Sequence, residues 1–181
     1  ATTADVVLLH DTDYSGAASA SITSGIDSTY GEYIFGFYTI NPATDGADFT
    51  FQVNASGESG YNETITSGVQ RNYHAPSDGS GDLHYVTNMD QAQGTAFQEI
   101  AEGIGNDADA SCAGMLHLFN PASTTYVKHF YTRMNTMGGG HQYQRDMLIS
   151  GYINTTAAID EIQFKWDSGN FDGTIKMWGV L

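Results

Sequence analysis

The feature that most constrains this chain is a two-residue period of apolar side chains. Two segments show it most clearly, with apolar residues at every second position: Phe49, Phe51 and Val53, then Ile162, Phe164 and Trp166. Successive side chains of a strand point to opposite faces, so this period predicts strands that bury one face.

Strands are predicted along most of the chain. The other predicted strands are 17–24, Glu32–Asn41, 69–73, 83–87, 113–119, 125–134 and 143–154. The connections are rich in Gly, Asp, Ser and Asn, the residues of tight turns. About ten strands without a long helix predict an all-β sandwich or barrel. No Pro/Ser-rich linker divides the chain, so residues 1–181 are predicted to form one domain, with an N-terminal arm and the first strand within 1–30.

Two segments carry more specific predictions. Turn residues at 167–173 separate two strand patterns, which predicts a C-terminal β-hairpin over Ile159–Val180 with Phe164 and Trp166 facing the core. Residues 95–104 place apolar side chains at helical spacing and slightly favour a helix by periodicity alone. The strands around this segment compete with that preference.

The charge is strongly negative. Six Lys and Arg face 21 Asp and Glu, for a net charge of −15. Such a chain repels phosphate backbones and anionic lipid surfaces, which argues against nucleic-acid and membrane partners and permits a basic protein partner. No window approaches the 18 consecutive apolar residues that indicate a membrane-spanning helix.

Two strands have apolar residues on both faces. In Glu32–Asn41, Tyr33, Phe35 and Phe37 alternate with Ile34, Tyr38 and Ile40, which predicts a central strand or one at a subunit contact. In 126–134, one face carries Val127, His129 and Tyr131, and the other Tyr126, Lys128, Phe130 and Met134. A subunit interface would cover the second face, so a homo-oligomer is expected.

Candidate sites are weakly supported. Acidic pairs recur in predicted turns and are compatible with calcium ligands: Asp11/Asp13, Asp45/Asp48, Asp78/Asp82, Asp107/Asp109 and Asp167/Asp172. Asp11 opens an EF-hand-like hexapeptide, but Ile22 occupies the twelfth position, where a bidentate Glu is needed. Turn formation is the favoured role of these aspartates.

The histidines have no zinc-site spacing, and no nucleophile-elbow motif is present, so neither a catalytic residue nor a metal ligand is assigned and no cofactor is expected. The histidines are His10, His74, His84, His117, His129 and His141. Cys112 is predicted to be a small buried thiol. Gly138–Gly140 is predicted to be a hairpin tip. Five aromatic residues are candidates for sugar stacking: Tyr14, Tyr30, Tyr61, Tyr73 and Trp178.

Several stretches together resemble one protein family. Residues 37–46 read FYTINPATDG, and the later stretches read FNPASTTYVKHF (119–130), TTAAIDEIQF (155–164) and SGNFDGTI (168–175). They are similar to small β-sandwich modules in structural proteins of tailed phages, many from marine hosts, with their NPATDG turn and a C-terminal DxIxF, SGN and GTI signature. The family usually ends in LYG, whereas this chain ends in MWGVL.

The resemblance implies a single antiparallel β-sandwich of jelly-roll-like topology in the virion, assembled in the host cytoplasm. A capsid decoration or cement subunit is expected, not an enzyme, with the major capsid protein or another virion protein as partner. A trimer is expected by analogy with the threefold positions of capsid lattices. The alternatives are a tail-fibre or spike module that recognises a host glycan, and a polysaccharide-degrading enzyme on the same sandwich.

Overall fold

Strands make up almost all of the regular structure. A computed structural model describes residues 5–139 and 142–181, and no helix occurs within them, so none is available to span a membrane. The strands are β1 (Val6–Ala17), β2 (Ala20–Ile22), β3 (Glu32–Pro42), β4 (Ala47–Ala55), β5 (Ile65–His74), β6 (Gly81–Tyr85), β7 (Ala92–Gly94), β8 (Gln98–Ile104), β9 (Cys112–Phe119), β10 (Lys128–Met137), β11 (Gln144–Ile153), β12 (Ile159–Trp166) and β13 (Phe171–Val180).

The strands form two antiparallel sheets packed face to face. The larger sheet has nine strands in the order β1-β13-β3-β9-β10-β11-β5-β6, with β7 also paired to β5, and the smaller has the order β2-β12-β4-β8. The four strands of the smaller sheet are not consecutive in the chain, so the chain crosses between the sheets immediately before and after each of β2, β4, β8 and β12. The all-β sandwich prediction is confirmed, while the jelly-roll-like topology stays a prediction.

Aromatic rings fill the space between the sheets. Phe164 of β12 lies 5.0–6.5 Å, between ring centroids, from the rings of Phe35, Phe37, Phe49 and Phe51. Phe164 and Trp166 are both buried, as their alternation predicted. The inner faces of both sheets therefore contribute to one core.

The C-terminal hairpin prediction is wrong. β12 pairs with β2 and β4 in the smaller sheet, whereas β13 pairs with β1 and β3 in the larger sheet. The turn between them, with Gly169 at φ 77°, crosses the sandwich instead of closing a ladder. A hairpin turn within one sheet and a turn that crosses between two sheets use the same turn residues and join strands with the same alternation. The local sequence therefore does not distinguish a hairpin from a crossing.

The slight preference for a helix over 95–104 is also wrong. This segment contains β8, which pairs with β4 at the edge of the smaller sheet. Gln98 is fully buried, where it accepts a hydrogen bond from Ser67 and donates one to the Met89 carbonyl. Pairing and burial in the sandwich thus outweigh the local periodicity.

The N-terminal region contributes more than an arm and one strand. β1 is a twelve-residue edge strand of the larger sheet, and β2 belongs to the smaller sheet. Asp11 and Asp13 lie within β1, opposite Lys176 and Thr174, so the EF-hand-like hexapeptide is not a loop.

A bulge in the middle of the larger sheet changes which side chains of β3 face outward. Thr39 has φ 49°, and the opposing Gly173 has φ 139° with its Cβ position 2.9 Å from the Thr39 carbonyl oxygen. The extra residue turns Ile40 into the core, where it is fully buried. The expected second apolar face of β3 therefore comprises Ile34 and Tyr38 without Ile40.

Candidate interaction surface

The outward face of the larger sheet carries a row of aromatic and apolar side chains. Strand register aligns Trp178, Ile34, His117 and Tyr131 on adjacent strands β13, β3, β9 and β10. We call these four residues the cross-strand row. The row crosses the middle of the sheet because β3 and β9 are central strands, as the apolar character of Glu32–Asn41 predicted.

Rings in this row are stacked on one another. His117 and Tyr131 lie 4.4 Å apart with an interplanar angle of 14°, and Phe119 stacks beside His117 at 6.3 Å. The Nδ1 of His117 is 2.5 Å from a carboxylate oxygen of Glu32, which fixes the imidazole plane. Together these contacts hold a flat platform on the outside of the sandwich.

Apolar side chains next to the row remain exposed. The exposed fraction is 47 % for Met115, 46 % for Leu148, 42 % for Tyr38 and 40 % for Tyr131. Met115 and Leu148 flank Arg133 on neighbouring strands, so the exposed groups form one patch. The strand alternation predicted from Tyr126 onward is confirmed within β10, with Lys128, Phe130 and Met134 buried and His129 and Tyr131 outward. It is wrong before Lys128, since the strand begins there and Tyr126 is 74 % exposed.

Charges on this face are paired within the face. Arg133 donates two hydrogen bonds to the Asp146 carboxylate, at 2.9 and 2.8 Å, which lowers the pKa of Asp146 and raises that of Arg133. Lys176 bonds Asp11 at 3.0 Å, and this bond raises the pKa of Lys176. Because Arg133 and Lys176 each have a carboxylate partner, covering these two cations leaves neither of them unpaired.

A depression of about 600 Å³ lies on the same face. Its lining includes Ala113 and Gly114 together with stacked rings and polar groups. The remaining lining residues are Asn72, Met115, His117, Tyr131, Arg133, Asn135, Gln144 and Asp146.

The predicted acidic pairs do not converge on an ion. Asp48 accepts a hydrogen bond from the Gly103 amide, Asp167 from the Asp48 amide, and Asp172 from the Gly16 amide. These bonds join residues 55, 119 and 156 positions apart in sequence, so the three carboxylates tie distant segments together instead of forming their own turns, as was favoured for them. Within 5–139 and 142–181, no three His, Cys, Asp or Glu side chains are grouped so that they would hold a metal ion.

Glu99 lies among carboxylates on the outward side of the smaller sheet. It pairs with Thr50, on the side of β4 opposite Phe49 and Phe51. Partial burial, reinforced by Asp48, Asp167 and Glu102, raises the pKa of Glu99 to about 7.

The remaining predicted candidates are dispersed. His10 bonds the Tyr14 hydroxyl, and burial lowers the pKa of His10. His74 pairs with Asp78 on the surface. Cys112 is buried as predicted, and burial raises the pKa of its thiol. β10 and β11 form the hairpin expected around Gly138, but Gly140 and His141 lie outside the described residues.

The proposed sugar-stacking residues do not form one site. Tyr14 packs on Phe171, Tyr30 on Tyr33, and Tyr61 donates a hydrogen bond to Glu161. Trp178 lies over Gly36, and its ring is 2.8 Å from where a Cβ at that position would be. Tyr73 lies on the other side of the larger sheet.

The side of the larger sheet that carries Tyr73 holds another pocket, which was not predicted from the sequence. Arg71, Tyr73, His84, Tyr143 and Arg145 line about 180 Å³ of space, and we call it the arginine pocket. Its residues come from β5, β6, β11 and the segment before β11, so only strand pairing brings them together. The chain has only six Lys and Arg residues, and this scarcity of cations was the one feature of the sequence that could have drawn attention to Arg71 and Arg145.

None of the protein-family models, curated proteins or solved structures compared with this chain matches it.

Proposed function

We propose that this chain is a non-catalytic structural subunit of a phage particle, displayed on the virion surface as a capsid decoration or cement protein. The single observation that carries the docking role is the outward face of the larger sheet. There the stacked cross-strand row and the exposed Met115 and Leu148 are left uncovered by the rest of the described chain. The placement on a virion rests on the resemblance of the NPATDG-type turn and the C-terminal signature.

The partner at this face is first of all a second copy of the chain. Subunits that carry a charge of −15 repel one another, so association needs apolar contact at the centre of the interface. The face provides it, and its cations Arg133 and Lys176 are each paired with a carboxylate of the same face. A trimer is proposed by analogy with threefold capsid positions, and a capsid protein would contact the remaining surface.

Quantitative mass spectrometry of purified particles tests the virion location. A decoration subunit is expected at a copy number comparable to that of the major capsid protein. A copy number that is a small fraction of it would favour a tail component, and absence from purified particles would refute the proposal.

One observation favours a second candidate, a tail-fibre or spike module that recognises a host glycan. The depression beside Tyr131 combines stacked rings with the planar polar groups of Arg133, Asp146 and Asn72, a combination suited to a sugar. A glycan array with the Tyr131→Ala variant as control separates the two candidates. Binding that this substitution abolishes supports the glycan module.

A further inference from the structure

The arginine pocket lies on the side of the larger sheet opposite the docking face. The smaller sheet ends at its edge strand β8, which packs over β10 and β11. Beyond that edge, the inner side of β5, β6 and β11 carries cationic and aromatic side chains in place of a core. The pocket is therefore separate from the cross-strand row.

Both guanidinium groups are held in fixed positions. Arg71 donates hydrogen bonds to the Glu102 carboxylate and, at 2.7 Å, to Nε2 of His84. Arg145 donates from Nη1 to the Glu102 and Gly103 carbonyls at 2.9 and 3.3 Å. Their side chains are 17 % and 18 % exposed, so they are largely withdrawn from water but reachable.

The backbone is shaped around Arg145. Gly103 has φ 60°, and a Cβ there would lie 2.8 Å from Nη1 of Arg145. A Cβ at Gly138 would lie 3.1 Å from the same atom. Two glycines thus make room for the guanidinium, and any side chain at either position would displace it.

The charges of the pocket are not balanced by its nearest carboxylate. Among the described residues, Glu102 is the carboxylate within 4.0 Å of both guanidinium groups, so two cations share one anion. Asp82 is 3.7 Å from His84 Nδ1 at the rim, and Asp48 acts on Arg145 from farther away. Partly buried cations that share a counter-ion gain from one more acceptor with a single negative charge.

Aromatic rings complete the pocket. Tyr73 and Tyr143 meet edge to face at 5.3 Å, and each guanidinium lies about 6 Å from one of these rings: Arg71 from Tyr73 at 6.0 Å and Arg145 from Tyr143 at 5.8 Å. These cation–π contacts orient the planar donors beside an apolar surface. A ligand with a carboxylate next to a ring would use both.

We propose that the arginine pocket binds the carboxylate of an acidic monosaccharide unit, a hexuronate, with Arg145 and Arg71 as donors and Tyr143 against the sugar ring. A volume of about 180 Å³ can admit one sugar ring, so a single monosaccharide unit is taken as the ligand. A charge of −15 on the chain disfavours ligands with several negative charges, so a single carboxylate is favoured over a phosphate.

The test is a titration of the full chain with glucuronate, followed by isothermal calorimetry and by chemical shifts of the arginine side-chain NH groups. Glucose supplies a ring without charge, and acetate supplies charge without a ring. Glucuronate is expected to bind with a dissociation constant near the millimolar range, and glucose and acetate at least tenfold more weakly.

Arg145→Gln is expected to weaken glucuronate binding at least tenfold, while Lys165→Gln, on β12 of the smaller sheet and outside both candidate sites, leaves it unchanged. Tyr143→Leu keeps both arginines and should reduce the preference for glucuronate over acetate, which keeps the test decisive if Arg145→Gln fails to fold. Equal binding of acetate and glucuronate, binding unaffected by these variants, or no binding of glucuronate would overturn the proposal. Self-association through the outer face is a separate property. Light scattering of Tyr143→Leu should therefore give the same oligomeric state as the parent chain, whatever its affinity for glucuronate.

Discussion

The two faces of the larger sheet are built from the same strands and differ in what they do. On β10, Phe130, Thr132 and Met134 are buried against the smaller sheet, and the alternating Tyr131 and Arg133 face outward. The inner face is required to fold the chain. Ring pairs on the outer face stabilise the sheet by only about 0.2–1 kcal/mol each, so the docking role proposed for this face rests on its exposed apolar side chains.

The largest expected effect comes from the inner face. Phe164→Ala removes a fully buried ring that contacts four others, so the free energy of unfolding should fall by about 3–5 kcal/mol. Urea denaturation followed by tryptophan fluorescence measures it. A loss below about 1 kcal/mol would mean that the sheets do not pack around this ring.

The next effect tests the close approach of strands in the middle of the larger sheet. In Gly114→Ala the new Cβ would lie 2.2 Å from the Arg133 carbonyl oxygen, a backbone atom that cannot move away alone. The loss should be about 1–3 kcal/mol, the usual cost of overpacking. Gly31→Ala is the control, since the nearest atom there is 3.8 Å away. Equal thermal stability of the two variants would contradict the β9–β10 register.

The third prediction concerns Glu99 on the outward side of the smaller sheet, which is acidic where the outward side of the larger sheet is apolar. It is a prediction about how stability depends on pH. The pKa of Glu99 is raised to about 7 in the folded chain, so the native state binds this proton more tightly than the unfolded state. This stabilisation is present below the ordinary glutamate pKa and is lost as the pH rises through about 7.

Glu99→Gln should therefore be more stable than the parent above pH 7, by roughly 1 kcal/mol, because water screens a half-buried group. Thermal melts at pH 5 and pH 8 measure the difference. A variant whose pH dependence equals that of the parent would show that other carboxylates dominate.

The smallest effect on stability is expected on the outer face. Tyr131→Ala should lower the free energy of unfolding of the isolated chain by about 1 kcal/mol or less, because the ring is partly in water and loses only its cross-strand stacking on His117. The same denaturation experiment at low protein concentration checks it. A loss as large as that of Phe164→Ala would show that the outer row is part of the folding core.

The sequence predicted the layers of the fold better than its connections. Alternation assigned Phe164 and Trp166 to the core correctly, because burial on one face leaves a period of two in the sequence. It could not show that Ile159–Val180 spans two sheets, since a turn that crosses a sandwich uses the same residues as a hairpin turn. Ile40 was assigned to the wrong face because a bulge at Thr39 changes the alternation without a local signal beyond Gly173.

The candidate sites were predictable only in part. The outward apolar character of β3 and β10 is visible as a second alternation, and it pointed to a docking face. The arginine pocket was not visible, because Arg71 and Arg145 belong to strands that are far apart in sequence and adjacent in the sheet. Such a site depends on strand pairing, which a single sequence without a motif does not reveal.

The most direct test of the central claim is multi-angle light scattering of the parent chain and of a Leu148→Asp variant. Leu148 is exposed within the outer patch, so the substitution should leave the isolated fold intact while placing a charge in the proposed interface. We expect an oligomer, a trimer by analogy, for the parent and a monomer for the variant. A parent chain that is strictly monomeric in solution and on particles would contradict it, as would a variant that associates like the parent.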